Sequence, residues 1–309
     1  SYTLPTEGQN TPVTHVNCCA VPGSPSVFPF VTLASVPHQR GKDHAARMGD
    51  ETSGESWLSS TAFKFLVFLC VFLILKKLWP DFRRRYFAAF MDFFSRGSNA
   101  KVEEMKKDVF STLSSCTSHD PELRKKKALK ILEIGVGTGV NFAYYPDGTR
   151  LVVVDPNPHF KSYYNENRKK FPNIHSEEII VTTGEEMDMV QSNSVDVVVS
   201  TLVFCSVENQ KKILQQILRV LAPGGKFYFY EHISEFDIER HGTRRRIQEF
   251  LTATGIWPFI FDNCMLNKDM LADIQQAGFS KVQAQRFYSP IDHFVFQLVK
   301  PSLKGVAEK

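Results

Sequence analysis

The chain lacks any close pairing of its cysteines. Its six thiols, Cys18, Cys19, Cys70, Cys116, Cys205 and Cys264, are scattered over 309 residues with no CxxC and no cysteine–histidine cluster at metal-ligand spacing. Linear spacing therefore indicates neither a metal site nor a disulfide framework, and reduced thiols facing a cytosol are the simpler reading. The chain is also short of net charge. A formal +4 from 37 basic and 33 acidic residues is too small to mark a nucleic-acid binder. The uninterrupted apolar run at 65–75 holds only 11 residues, whereas a bilayer-spanning helix needs about 20. Finally, residues 1–56 lack periodicity. Rich in Pro, Ser, Thr, Gly and His, they read as a disordered extension. Met48 is the first methionine, so residues 1–47 are either disordered or absent from the mature protein, which N-terminal sequencing of natural material would decide.

What is present begins at the apolar run. "FKFLVFLCVFLILKKLWPDFRRRYF" reaches membrane length over 57–79 only by including Lys64, Lys76 and Lys77, which can snorkel from the ends. Tryptophans at 57 and 79 suit two interfaces. A signal peptide would carry its positive charge before the run and a small-residue cleavage site after it. Here Asp50, Glu51 and Glu55 precede the run and "KKLWPDFRRR" follows it. Residues 57–80 are therefore expected to be a hydrophobic membrane anchor, with contact over 57–85 and everything after residue 76 on the cytosolic side. Crossing the bilayer and lying in one leaflet both remain open. Over 82–113, Phe82, Tyr86, Phe90, Phe93 and Phe94, then Val102, Met105, Val109 and Leu113, recur at helical spacing, with a break near "RGSN". Residues 81–120 are expected to form an amphipathic helical lid or linker.

From residue 121 to 309 strands and helices alternate. "LKILEIG", "RLVVVD", "EIIVTTG", "SVDVVVSTLVF" and "GKFYFYEHI" read as five buried strands, and 209–221 as a helix with one apolar stripe. "NKDMLADIQQAGF" reads as a helix capped by Asn267 and ended by Gly278, followed by strands "KVQAQRF" and "HFVFQLV". Their short link, "YSPID", makes that last pair antiparallel. The fold class is α/β, a doubly wound seven-stranded sheet of Rossmann-like type with ligands outside the carboxyl ends of its strands.

"LEIGVGTG" places Gly135, Gly137 and Gly139 where the first strand turns into its helix, and side chains there would meet the ligand. A dehydrogenase would want its third glycine at 140, which is Val140. Asp155, ending the second strand, suits the ribose hydroxyls of NAD or of adenosine alike. Glu133 discriminates better. An acid within the first strand has no duty toward a pyrophosphate, but it could face the cationic amino-acid end of S-adenosylmethionine directly or through the loop it orders.

Together, "LEIGVGTG", "VVVDPNP", "SVDVVVSTLVFCSV" and "RVLAPGGKFYFYEH" resemble a class I S-adenosylmethionine-dependent methyltransferase. More narrowly, "DPNPHF", "TLVFCSV" and "FDNCML" resemble the membrane-associated thiol S-methyltransferases of the methyltransferase-like group, over roughly residues 57–300. The resemblance implies that Glu133, Gly135, Gly137 and Gly139 line the methionine end of the cofactor and that Asp155 holds the ribose. Pro156 and Asn157 then shape the adenosine side, Gly184 and Glu185 lie beside adenine, and Thr201 and Leu202 lie near the sulfonium. It also implies an endoplasmic-reticulum or lipid-droplet surface. Val136, Asn263 and a tail without histidine depart from the pattern, which leaves substrate identity open.

Methyl transfer needs positioning and exclusion of water more than covalent catalysis. Glu231 and His232 end the fifth strand, where such a fold does its chemistry. His232 is the candidate base or thiolate-orienting group. Cys205 reads as core, and Asp262 and Cys264 as edges of the acceptor pocket. The runs at 124–127 and 244–246 read as solvated faces. The expected function is transfer of a methyl group to a small lipophilic thiol, without a metal or nucleic acid. The rivals are O- or C-methylation of a lipid, quinone or sterol-like acceptor, and a non-catalytic lipid-surface interaction protein.

Overall fold

A computed structural model describes residues 52–97 and 100–309; for 52–59 and Lys76 it describes the backbone alone. The expected extension at 1–56 thus falls almost wholly outside the described residues. Residues 61–309 pack as one unit. Helix α1 (Thr52–Ser95) is followed by α2 (Ala100–Val109) and the short α3 (Pro121–Lys125). No helix among the described residues is long and apolar enough to cross a membrane. Lys64, Lys76 and Lys77 interrupt the apolar stretch that the sequence offers.

Seven strands follow: β1 (Lys130–Ile134), β2 (Arg150–Val154), β3 (His175–Ser176), β4 (Val195–Thr201), β5 (Leu221–His232), β6 (Lys281–Tyr288) and β7 (Pro301–Glu308). They form one sheet in the order β3-β2-β1-β4-β5-β7-β6. The first five are mutually parallel, and β7 runs antiparallel to both of its neighbours. Helices α4 (Lys161–Arg168), α5 (Gln210–Val220), α6 (Ile238–Ala253), α7 (Ile256–Ile260) and α8 (Leu271–Gln276) complete the chain. Strand order turns back between β1 and β4, which puts the ligand crevice over the carboxyl ends of those two strands.

The sheet is buried on both faces because its strands read as continuous apolar runs. Along β5 the period-2 alternation sends Phe227 and Phe229 to one core, and Tyr228 and Tyr230 to the other. Each fully buried large side chain contributes roughly 1.5–3 kcal/mol. Helix α5 lays Ile213, Leu214 and Ile217 on the first core, and Asn209 caps it by accepting from the Lys212 N–H at 3.0 Å.

Three expectations about elements are corrected. The stretch "EIIVTTG" is no strand; it touches the sheet by a single bridge between Val154 and Ile180, and β3 lies just before it. "HFVFQLV" is largely a 3-10 turn over Phe294–Val299, and the last strand is "PSLKGVAE". Helix α8 is shorter than drawn: its N-cap is Met270 rather than Asn267, although Gly278 does sit beyond its end with φ +104°. The antiparallel arrangement of the last pair holds. In "LAPGG", Gly225 is tucked where an added Cβ would lie 2.8 Å from the Ala222 carbonyl oxygen and 2.9 Å from that of Asp196. Leu221 still pairs with Val195, and the four residues 222–225 form an irregularity opposite β4 before Lys226 pairs with Val197.

Candidate active site

The turn after β1 has three glycines with left-handed φ, +65° at Gly135, +53° at Gly137 and +78° at Gly139. Their missing side chains do different things. A Cβ on Gly135 would lie 2.4 Å from Val203 Cγ2, and one on Gly139 would lie 2.5 Å from Phe142 Cε2. The protein itself fills those two spaces, so the expectation that all three are vacated for a ligand is corrected. Gly137 alone has room, its nearest neighbour being the Phe160 ring at 3.8 Å.

Glu133 points from β1 into the second core and is fully buried. It accepts from Asn141 Nδ2 at 2.7 Å and from the Tyr145 hydroxyl at 2.7 Å. Asn141 also donates to Thr201 Oγ1 at 3.0 Å and accepts from Lys106 Nζ of α2 at 3.1 Å. Through these bonds Glu133 orders the loop. Burial lifts its carboxyl to about 7, against the hydrogen bonds that favour the anion. Burial likewise depresses Lys106 to about 8, with Glu133 opposing.

Asp155 closes the turn from the other side. Its carboxylate accepts from the backbone N–H of Gly137 at 2.9 Å and of Asn157 at 2.8 Å. One lone pair per oxygen is left for a ligand. Burial raises it to about 6 in spite of those donors. Helix α1 roofs this corner. Asn157 Nδ2 donates to the Arg84 carbonyl at 3.0 Å, His159 pairs with Asp81 at 2.8 Å, and Phe87 meets Phe160 edge-on at 6.1 Å. Pro156 is exposed between them.

At the end of β4 the backbone does something unusual. Leu202 has φ +59° and stays 40% exposed, a strained conformation of the kind held at functional sites. Glu231 holds it there. One carboxylate oxygen accepts from Ser200 Oγ at 2.6 Å, and the other from the backbone N–H groups of Val203 and Phe204 at 2.7 and 3.0 Å. Glu231 is fully buried and its carboxyl is raised to about 8, chiefly by burial. Its geometry is that of a brace under Leu202, bonded to Ser200 and to two backbone N–H groups.

His232 is also buried, with Nε2 3.1 Å from Cys264 Sγ and Nδ1 without a hydrogen-bond partner. Burial opposes its charged form, but the Cys205 thiol outweighs that and leaves the imidazole above its usual value. Cys205 reaches back to the Leu202 carbonyl oxygen at 3.7 Å, and Trp257 Nε1 donates to Cys264 at 3.4 Å. Asp262 lies nearby in sequence, paired with Arg83 at 3.4 Å. Asp262 and Asn263 are left-handed at +44° and +67°, so the asparagine found where the resembled family tends to have glycine keeps the turn.

The structure thus joins Glu133, the glycine turn, Asp155, Thr201, Leu202 and His232 along one edge of the sheet. Gly184 and Glu185 serve packing. A Cβ on Gly184 would strike Ile213 at 2.4 Å, and Glu185 accepts from the N–H groups of Glu208 and Asn209 at 2.9 and 3.3 Å. Sequence reasoning missed Lys106, Asn141 and Tyr145, although an asparagine two residues past the last glycine was visible. It also took 244–246 as solvated, whereas Arg244 makes a 2.5 Å ion pair with the fully buried side chain of Glu235.

Comparison with known proteins follows the same edge. Residues 132–229 match the family model described as a methyltransferase domain. The chain is 35% identical to human thiol S-methyltransferase TMT1A and 34% to human TMT1B, in each case over 75% of this chain and 89% of the relative. Among solved structures, a SAM-dependent methyltransferase from Thermotoga maritima is similar at 18% identity over 72% of this chain and 98% of that one, with a TM-score of 0.43.

Proposed function

Because the chain belongs to the thiol S-methyltransferase family of S-adenosylmethionine-dependent methyltransferases, we propose that it methylates the sulfur of a small lipophilic thiol at a membrane surface. The observation that carries this reading is the placement of His232, buried among thiols of which one, Cys205, reaches back to the strained Leu202. The residues suit the donor. Gly137 leaves an open cradle, Asp155 keeps lone pairs beside it, and the acidic Glu133 underlies the turn. When bound, S-adenosylmethionine supplies an electrophilic methyl group on a sulfonium.

The chain's own residues do the rest. Asp155 would hold the ribose hydroxyls by charge-assisted hydrogen bonds. Glu133, Tyr145, Asn141 and Lys106 fix the loop at the methionine end. Thr201 and Leu202 would lie near the sulfonium. His232 is assigned the acceptor's sulfur, as the group that takes its proton or orients its thiolate, the reactive form. The membrane half rests on α1, where Phe63, Phe65 and Phe68 are 66%, 66% and 67% exposed. A single protein of known fold seldom presents so apolar a patch to water. The second half of the helix, packed over Asn157 and Phe160, acts as the lid.

The test is a panel of thiol, phenol and quinol acceptors with the purified chain in detergent, run beside His232→Ala. Selective thiol turnover, lost far more than cofactor affinity in His232→Ala, supports the proposal. Preference for oxygen acceptors, or a variant with full turnover, removes it. Flotation with phospholipid vesicles tests the membrane half separately.

A further inference from the structure

Three side chains that are far apart in sequence converge beside the methyl-transfer edge. Cys205 comes from the loop after β4, His232 from the end of β5, and Cys264 from the turn after α7. One ligand atom of each lies within 4.8 Å of the other two. All three are buried, at 3%, 4% and 9% exposure. Around a tetrahedral zinc ion, with Zn–S near 2.3 Å and Zn–N near 2.0 Å, neighbouring ligand atoms stand roughly 3.5–3.8 Å apart. The observed 3.1 Å between His232 Nε2 and Cys264 Sγ would open by a few tenths of an ångström, and a pair at the 4.8 Å limit would close by about 1 Å.

We propose that Cys205, His232 and Cys264 form a binding site for a thiophilic divalent cation, zinc by preference, with one coordination position open. The ligand set argues for softness: two thiolates and an imidazole select zinc over magnesium or calcium. Charge argues the same way. Two thiolates cancel a divalent cation, so the metal-loaded site is neutral before an acceptor binds, which is the form that burial permits. Trp257 Nε1–H already donates to Cys264 Sγ at 3.4 Å, and a donor of this kind stabilises a bound thiolate. No fourth histidine, cysteine or carboxylate joins the group among the described residues. Three protein ligands and an open fourth position are the pattern of a catalytic rather than a structural zinc.

On the thiol reading above, that open position takes the acceptor. The incoming thiol loses its proton to solvent as its sulfur binds the metal. The sulfur's lone pair then forms the new C–S bond while the methyl–sulfonium bond breaks, giving the thioether and S-adenosylhomocysteine. His232 would then orient the thiolate through the metal rather than take the proton itself. The scattered spacing of 205, 232 and 264 explains why the sequence offered no metal signal.

Cobalt(II) is the probe, and the experiment needs neither cofactor nor acceptor. The full chain in detergent, stripped with chelator, is titrated with Co(II). One equivalent should bring a sulfur-to-cobalt charge-transfer band and the intense visible bands of four-coordinate cobalt, bleached by added zinc. Cys205→Ser and Cys264→Ser should each weaken binding at least tenfold, while Cys70→Ser, on exposed α1, should leave it unchanged. Absence of these bands in the wild-type chain, or their persistence in the Cys205→Ser/Cys264→Ser double variant, overturns the site. Adding a thiol should shift the visible bands; unmoved bands overturn the open position alone. A chain that binds cobalt but methylates no thiol refutes the thiol reading and leaves the metal site standing.

Discussion

The two halves of the cleft are built in opposite ways. The cofactor half is mostly local in sequence: a glycine turn, a carboxylate 18 residues past Gly137 that accepts from the Gly137 N–H, and a strand end. The acceptor half is assembled from residues 202 to 264, carried by β4, β5 and the turn after α7, and held by side chains: Glu231 beneath Leu202, and His232 against Cys264. A local half tolerates little change in its few residues. A dispersed half leaves room for specificity to change while the donor site stays intact.

The comparison breaks most visibly at Asp155. On the proposed reading, Asp155→Ala should weaken S-adenosylmethionine binding by about a hundredfold or more, since it would remove charge-assisted contacts to two hydroxyls. Calorimetry reads this directly. An affinity within threefold of wild type would mean that the local half is not the donor site. His232→Ala, by contrast, should leave that affinity nearly unchanged.

Next in size is the contrast between two glycines. Gly135→Ala combines a left-handed backbone with a Cβ 2.4 Å from Val203, and should cost about 2–5 kcal/mol of stability. Gly137→Ala carries only the backbone penalty, about 1–2 kcal/mol, and should act mainly on cofactor affinity. Denaturant melts paired with binding isotherms separate the two; equal melting midpoints would sink the distinction.

Acidity gives a smaller effect. Burial has raised Glu133 to about 7 and Asp155 to about 6, so acidification neutralises first the acid that orders the turn and then the ribose ligand. Cofactor affinity should fall as pH drops below about 7, approaching tenfold per unit for one linked proton, and more steeply below about 6. In the cofactor-free chain the same shifts act the other way. Their contribution to stability is full below the ordinary values of 4.5 and 3.8 and fades as pH rises through about 6 and 7. Calorimetry across pH checks the first trend and thermal melts the second. Smallest is Lys106→Ala, which removes one hydrogen bond to Asn141 and should cost about 0.5–1.5 kcal/mol of cofactor binding. An unchanged affinity would detach α2 from the donor site.

The same division governs what could be read from the chain. β1, β2, β4 and β5 were legible because fully buried parallel strands are continuous apolar runs. β7 was not. "PSLKGVAE" begins with proline and carries Gly305, whose added Cβ would lie 2.3 Å from the Gln283 carbonyl oxygen. The apolar "HFVFQLV" looked the better strand, yet pairing on both sides by β5 and β6 overrides propensity. In the site, the glycines and Asp155 were visible as a motif. Lys106 reaches Asn141 across 35 positions, and Cys264 meets His232 across 32; no spacing rule links such pairs.

Helix α1 changes character along its length, exposed and largely apolar over 63–75 but joined through Asp81, Arg84 and Phe87 to His159, Asn157 and Phe160 beside Asp155. Shortening the chain to improve its handling in buffer is therefore two different operations. A cut before Trp79 spares the roof of the crevice. A cut after Ser95 takes away the cover over Asn157 and Phe160, and on the proposed reading a preparation made that way would look inactive for a reason unrelated to lipid.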